Sequence, residues 1–218
     1  MMRLLIFGAT GATGRQLVKQ ALDSAHQVTA FVRDASRLVA TQSEQLRSIT
    51  GDVMDAAAVD AAIPGHDAVL VALGTMPEDP QDRSRRQPKE PVCSVGAAHI
   101  TESMLRHGVR RVIIESSLAV GSSRSDSRLG AAGVVRWALK DVMRDKELQE
   151  TIVRNGNLDW TIIRPARLTN GGRSLHLQSG ESLSWSLLST VSRADVAAFM
   201  LKSLGDDSTI RKALSLIG

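Results

Sequence analysis

Tyrosine is absent from this sequence, cysteine occurs once, and three Phe and three Trp make up all its aromatics. So few rings leave little to stack on bases, and the arginines are scattered, although the formal charge is +4. A nucleic-acid groove is therefore not expected, and the positive balance is read as serving small anions. The single thiol, Cys93, has no partner for an internal disulfide. It fits a reducing compartment and a small packed helix residue better than a nucleophile. No long hydrophobic run is present: residues 68–73 and 112–114 are strand-sized, well short of the roughly 20 residues that span a bilayer. The first residues carry no secretory pattern, so a cytoplasmic location is expected and no membrane contact. His26, His66, His99, His107 and His176 show no metal-ligand spacing with one another or with Cys93, so no metal is expected. Ser116-Ser117 lacks the glycines of a nucleophile elbow, which argues against a hydrolase.

What is there is globular: 218 residues, 43% hydrophobic and 23% charged, enough for one core and one domain over 1–218. Strand-like runs alternate with amphipathic helical stretches along the chain. Arg3–Phe7, Gln27–Val32, Leu46–Thr50, residues 68–73, 110–115 and 160–164 read as strands, the fourth being apolar enough to be central. Leu17, Val18, Ala21 and Leu22 recur at helical spacing, as do residues in 92–106 and 134–153. Ser192, followed three residues later by Asp195, predicts a capped helix start. The alternation predicts an α/β fold, a Rossmann-type doubly wound parallel sheet, with a small C-terminal substrate region. Residues 76–91 and 121–133, rich in turn formers, follow strand ends and are expected as lids or as plain surface loops.

The first strand runs into Gly8-Ala9-Thr10-Gly11-Ala12-Thr13-Gly14. Glycine at every third position, between a strand and a helix, is the pattern of a pyrophosphate-binding turn. Gly8 permits the turn, Gly11 lets the backbone approach the anion, and Gly14 lets the helix pack closely. The helix N-terminus then faces the phosphates, and the Thr10 and Thr13 hydroxyls add donors. At the end of the second strand, where NAD-binding domains place a carboxylate for the ribose 2′-hydroxyl, stands Arg33, with Arg37 one turn on. A guanidinium there grips a 2′-phosphate, which predicts NADP(H), although Asp34 beside it pulls the other way.

Together with Phe31-Val32-Arg33-Asp34, Gly51-Asp52-Val53, Leu73-Gly74-Thr75, Ile163-Arg164-Pro165 and Ser192-Arg193-Ala194-Asp195, this turn carries a family resemblance. The chain resembles the atypical short-chain dehydrogenase/reductases with NmrA-like NAD(P)-binding domains, most of all their biliverdin-IXβ and flavin reductase branch. The resemblance implies that Asp52 and Val53 border the adenine and that Leu73, Gly74 and Thr75 lie under the nicotinamide-side ribose and phosphates. It puts Ser117 and Pro165 beside the nicotinamide, with Arg167 where that branch has a substrate-pocket histidine. Many such reductases use a Tyr-x-x-x-Lys pair; the matching segment here runs from Val142 to Lys146. Tyrosine-dependent dehydrogenation is thus disfavoured. Lys146 either touches the ribose or is a solvated lysine in Arg144-Asp145-Lys146-Glu147.

Two functions remain. The first is an NADPH-dependent reductase passing hydride to a planar conjugated small-molecule acceptor, a flavin, biliverdin or quinone-like metabolite, in general or specialised metabolism. Ser117 would orient the ring and Arg167 would attract an anionic group. The second is a non-catalytic NADP(H) redox sensor that signals to a protein partner.

Overall fold

The computed structural model describes residues 1–38, 43–74, 91–174 and 176–218. Among them, β1 (Arg3–Phe7), β2 (Gln27–Val32), β3 (Leu46–Thr50), β4 (Ala68–Val71), β5 (Arg111–Glu115), β6 (Asp159–Pro165), β8 (Gln178–Gly180) and β10 (Lys212–Ile217) form an eight-stranded sheet. Its order is β3-β2-β1-β4-β5-β6-β10-β8, parallel except where β8 runs against β10. β7 (Arg167–Thr169) and β9 (Thr190–Ser192) make a separate parallel pair. The strand order reverses between β1 and β4, so a ligand crevice is expected there, at the carboxyl ends of the strands.

The helices are α1 (Ala12–Asp23), α2 (Ala56–Ala62), α3 (Val92–His107), α4 (Ala131–Ala138), α5 (Lys140–Asn155) and α6 (Arg193–Ser203). Alternation along β1 sends Leu4 and Ile6 into the cluster shared with α1 and α6. Leu5 and Phe7 enter the opposite cluster, with Val59 of α2, Ile100 and Met104 of α3 and Val153 of α5. Each such buried side chain contributes about 1.5–3 kcal/mol, so a rigid two-faced sheet holds the strand ends in place.

The expected doubly wound sheet is observed, and β4 lies between β1 and β5 with all four residues buried. Two local readings need correction. The fourth strand stops at Val71, so Leu73 and Gly74 belong to the loop above it. The helix expected over 134–153 is two helices, parted at Leu139 with φ −126° and ψ 39°. The segment 121–133 lies largely at the surface and is anchored at two points: Trp185, 4% exposed, donates from Nε1 to Ser123 O (2.7 Å), and Arg128 N donates to Trp185 O (2.7 Å). Thr75, and 76–90 of the other expected loop, lie outside the described residues. No helix among the described residues is long and apolar enough to cross a membrane.

Candidate dinucleotide and acceptor site

The glycine turn has the geometry its spacing demands, each glycine for a different reason. Gly8 has φ +79°, and a Cβ on it would lie 2.4 Å from Ala72 O. A Cβ on Gly14 would lie 2.0 Å from Gly8 O, so this glycine lets α1 close down on the turn. At Gly11, among the described residues, only Gly8 O comes near an added Cβ, at 3.2 Å. Gly11 is the N-cap of α1, with φ −73° and ψ 166°; no side chain caps the helix and no acidic residue occupies its first turn. The amides of Ala12, Thr13 and Gly14 therefore need an outside acceptor, and the helix dipole favours an anionic one. Thr10 is half-buried, and its carbonyl accepts from Arg15 Nη1 (2.6 Å). Thr13 departs from expectation: its side chain is buried and Oγ1 donates to Glu115 Oε1 (3.1 Å), so its hydroxyl turns into the protein. Only its amide is left for a phosphate.

At the end of β2, Arg33 is exposed and enters no ion pair among the described residues. Asp34 is engaged: its Oδ1 accepts from Ser36 N (2.9 Å) and Ser36 Oγ (2.7 Å), capping the short 3-10 turn Ala35–Arg37. The Ser36 hydroxyl and amide, with the Arg37 charge, hold its carboxyl below the usual range. The Asp34 carboxylate is thus occupied locally, and Arg37 is exposed on the same turn.

Beyond β3, the Asp52 carboxylate folds back onto Met54 N (3.0 Å), and Val53 O accepts from the His99 ring (2.9 Å). The Val53 side chain is buried against Gly96 of α3, where an added Cβ would lie 2.7 Å from Val53 Cγ2. Leu73 is half-buried against the same glycine, and Gly74 is exposed.

Lys146 is not a solvated lysine. It is 6% exposed, and its Nζ donates to Leu73 O (2.8 Å) and Glu115 O (2.7 Å), tying the ends of β4 and β5 together at the crevice. The neighbouring Asp145 also points inward, accepting from Cys93 N (2.9 Å) and Ser94 N (2.8 Å) to cap α3. Burial pushes the Cys93 thiol up to about 11, which leaves it no thiolate character near neutral pH.

Ser117 follows β5, half-buried, with no hydrogen-bond partner among the described residues. Ser116 instead donates to Glu150 Oε1 (2.6 Å), and Glu150 pairs bidentately with Arg164, Nε to Oε1 at 2.9 Å and Nη2 to Oε2 at 2.6 Å. Arg164 Nη1 also reaches Ser122 Oγ (2.8 Å). This buried network, missed in the sequence, fixes the loop that carries Ser117. Pro165 closes β6, its carbonyl accepting from Leu118 N (3.1 Å). Arg167, the first residue of β7, is exposed and has no ion pair among the described residues. Its amide donates to Ser189 O (3.3 Å), and the adjoining Leu188 is 86% exposed.

Gly8 to Gly14, Gly74, Ser117 and Pro165 follow or end parallel strands, so they share the carboxyl edge of the sheet. A model of the family described as NAD(P)H-binding matches residues 8–207. Photosystem II assembly factor Ycf39 of Synechocystis sp. is 25% identical over 227 residues, with 100% of this chain and 63% of that protein covered. The chain thus spans under two thirds of that relative's length. Among solved structures, ChuY, an anaerobillin reductase from Escherichia coli O157:H7, has 24% identity and TM-score 0.81, covering 99% of this chain and 96% of that one. A short-chain dehydrogenase/reductase of Veillonella parvula in complex with NADP has 18% identity and TM-score 0.78, covering 99% and 94%. These two likenesses carry the fold.

Proposed function

Because the chain belongs to the NAD(P)H-binding family whose model covers residues 8–207, we propose that it is an NADPH-dependent reductase acting on a planar conjugated acceptor with an anionic group. One observation carries this reading: an uncapped α1 N-terminus, and Arg33 and Ser117 with no partner among the described residues, all stand at the carboxyl ends of parallel strands of one sheet. The open side of Gly11 and the first-turn amides fit a pyrophosphate. When bound, NADPH would supply hydride, and with no tyrosine in the chain the acceptor's balancing proton would come from solvent.

The protein's own part is positioning. Lys146 fixes the two strand ends beneath the nicotinamide side, Ser117 offers one hydrogen bond, and Arg167 offers charge beside exposed Leu187 and Leu188. A flavin-like or tetrapyrrole-like molecule has both an apolar body and an anionic edge. The test is NADPH oxidation with FMN, riboflavin, biliverdin, quinones and enones. A second reading, NADP(H) sensing without turnover, is favoured by Val142, a partly buried core residue where a catalytic tyrosine would fall. Absence of turnover with every acceptor, together with tight NADP binding, would select it.

Arg33→Ala should erase the preference for NADPH over NADH, a loss of about 1.5–3 kcal/mol for a charge-assisted contact. Fluorescence titration of both cofactors measures it, and equal affinities in the wild type would refute the 2′-phosphate role. Arg167→Ala should raise KM for FMN far more than it lowers kcat, and leave uncharged lumiflavin unaffected, because the lost attraction is shared by ground and transition states. Equal responses to FMN and lumiflavin would remove Arg167 from the acceptor site. Ser117→Ala should cost about 0.5–1.5 kcal/mol, the worth of one neutral hydrogen bond.

A further inference from the structure

Glu115 ends β5 as a buried residue, 6% exposed. It is absent from the motifs that mark the family resemblance, yet it touches the cofactor site from behind. Its Oε1 accepts from Thr13 Oγ1 (3.1 Å), and Thr13 is the second residue of α1, whose amide is one of the unfilled donors. Its carbonyl is one of the two that Lys146 grips. The charged groups acting on the carboxyl from the neighbouring helices are Lys146 of α5 and Arg193 of α6, the latter held by Asn170 Oδ1 (2.7 Å).

We propose that Glu115 is a positioning residue of the cofactor site, fixing Thr13 beneath the pyrophosphate and carrying a proton when the dinucleotide is bound. The proposal rests on the reading of the glycine turn as the pyrophosphate site. A carboxylate here and a bound pyrophosphate draw on the same α1 dipole from opposite sides of the first turn, and burial denies their repulsion the screening of solvent. Desolvation already raises this carboxyl above the usual range, against the opposing pull of Lys146, Thr13 and Arg193. A nearby anion raises it further. Between the free and bound values, binding takes up a proton, so affinity falls as pH rises through that window.

The test is calorimetric titration of the whole protein with NADP+ between about pH 5 and 9, in buffers of different ionisation enthalpy. The wild type should take up a proton, with Kd rising by up to about tenfold per pH unit in the window. Glu115→Gln keeps an acceptor for Thr13 but has no proton to bind, so it should lose that part of the slope. The 2′-phosphate titrates in both proteins, and their difference isolates Glu115. An equal slope and equal uptake in the two would overturn the proposal. An infrared difference spectrum of the wild type gives a reading independent of any variant: a carboxylic-acid carbonyl band that gains on NADP+ binding supports it, and no gain overturns it. No binding at any pH would overturn the cofactor reading itself, and this inference with it.

Discussion

Gly11→Val should leave the protein folded and weaken NADPH binding by more than about a hundredfold, a loss near 2.7 kcal/mol. The backbone at Gly11 is extended, with φ −73° and ψ 166°, which a β-branched residue adopts freely. Among the described residues an added Cβ meets only Gly8 O at 3.2 Å, so the new methyls project into the space proposed for the pyrophosphate. Gly14→Ala is the contrasting control. There a Cβ would lie 2.0 Å from Gly8 O, 2.7 Å from Gly8 C and 2.8 Å from Ala9 Cα, all backbone atoms. Helix and turn must separate, and overpacking of that kind costs about 1–3 kcal/mol of stability. Thermal melts and fluorescence titration of the two variants separate the effects. A Gly11→Val protein that folds and binds NADPH with unchanged Kd would remove the glycine turn from the cofactor site.

The second large effect lies behind the loop that carries Ser117. Glu150→Ala should destabilise the protein by about 3–5 kcal/mol, because it strands a buried guanidinium. The Arg164 side chain is 1% exposed and Glu150 4% exposed, so solvent does not rescue either charge. Arg154, 3.4 Å from Glu150 and 37% exposed, can follow the lost partner no further than solvent and adds little. The double variant Arg164→Met with Glu150→Leu should recover much of the loss, since removing both charges leaves no unpaired ion. Urea denaturation of the wild type and both variants measures this; a single-variant cost below about 1 kcal/mol would mean that the pair behaves as an exposed one. Glu150→Ala should also loosen Ser117, as the adjacent Ser116 loses its Glu150 partner.

The legible and illegible parts of this molecule differ in kind. The bounds of β1, β2 and β3, the central place of β4 and the start of α6 were readable from short windows. In α6 the Ser192 cap meets Asp195 within three residues, Asp195 N donating to Ser192 Oγ at 3.0 Å. The break at Leu139 carried no proline or glycine to announce it. The short β7, β8 and β9, three residues each, hold too few positions to show a period, and β10 and α2 also went unassigned. Asp145 and Lys146 sit in a run of alternating charge that has the composition of a solvated helix face.

The sequence alone therefore determined the wound parallel sheet and the glycine turn between its first strand and first helix. These follow from local periodicity and from backbone freedom at glycine. Only the tertiary structure decided that Thr13 turns inward to Glu115, 102 residues away. It likewise decided that Lys146 spans to Leu73, 73 residues away, and that Glu150 neutralises Arg164 in the interior. A buried polar group needs a partner, and these partners come from distant strands and helices that meet only once the sheet is assembled.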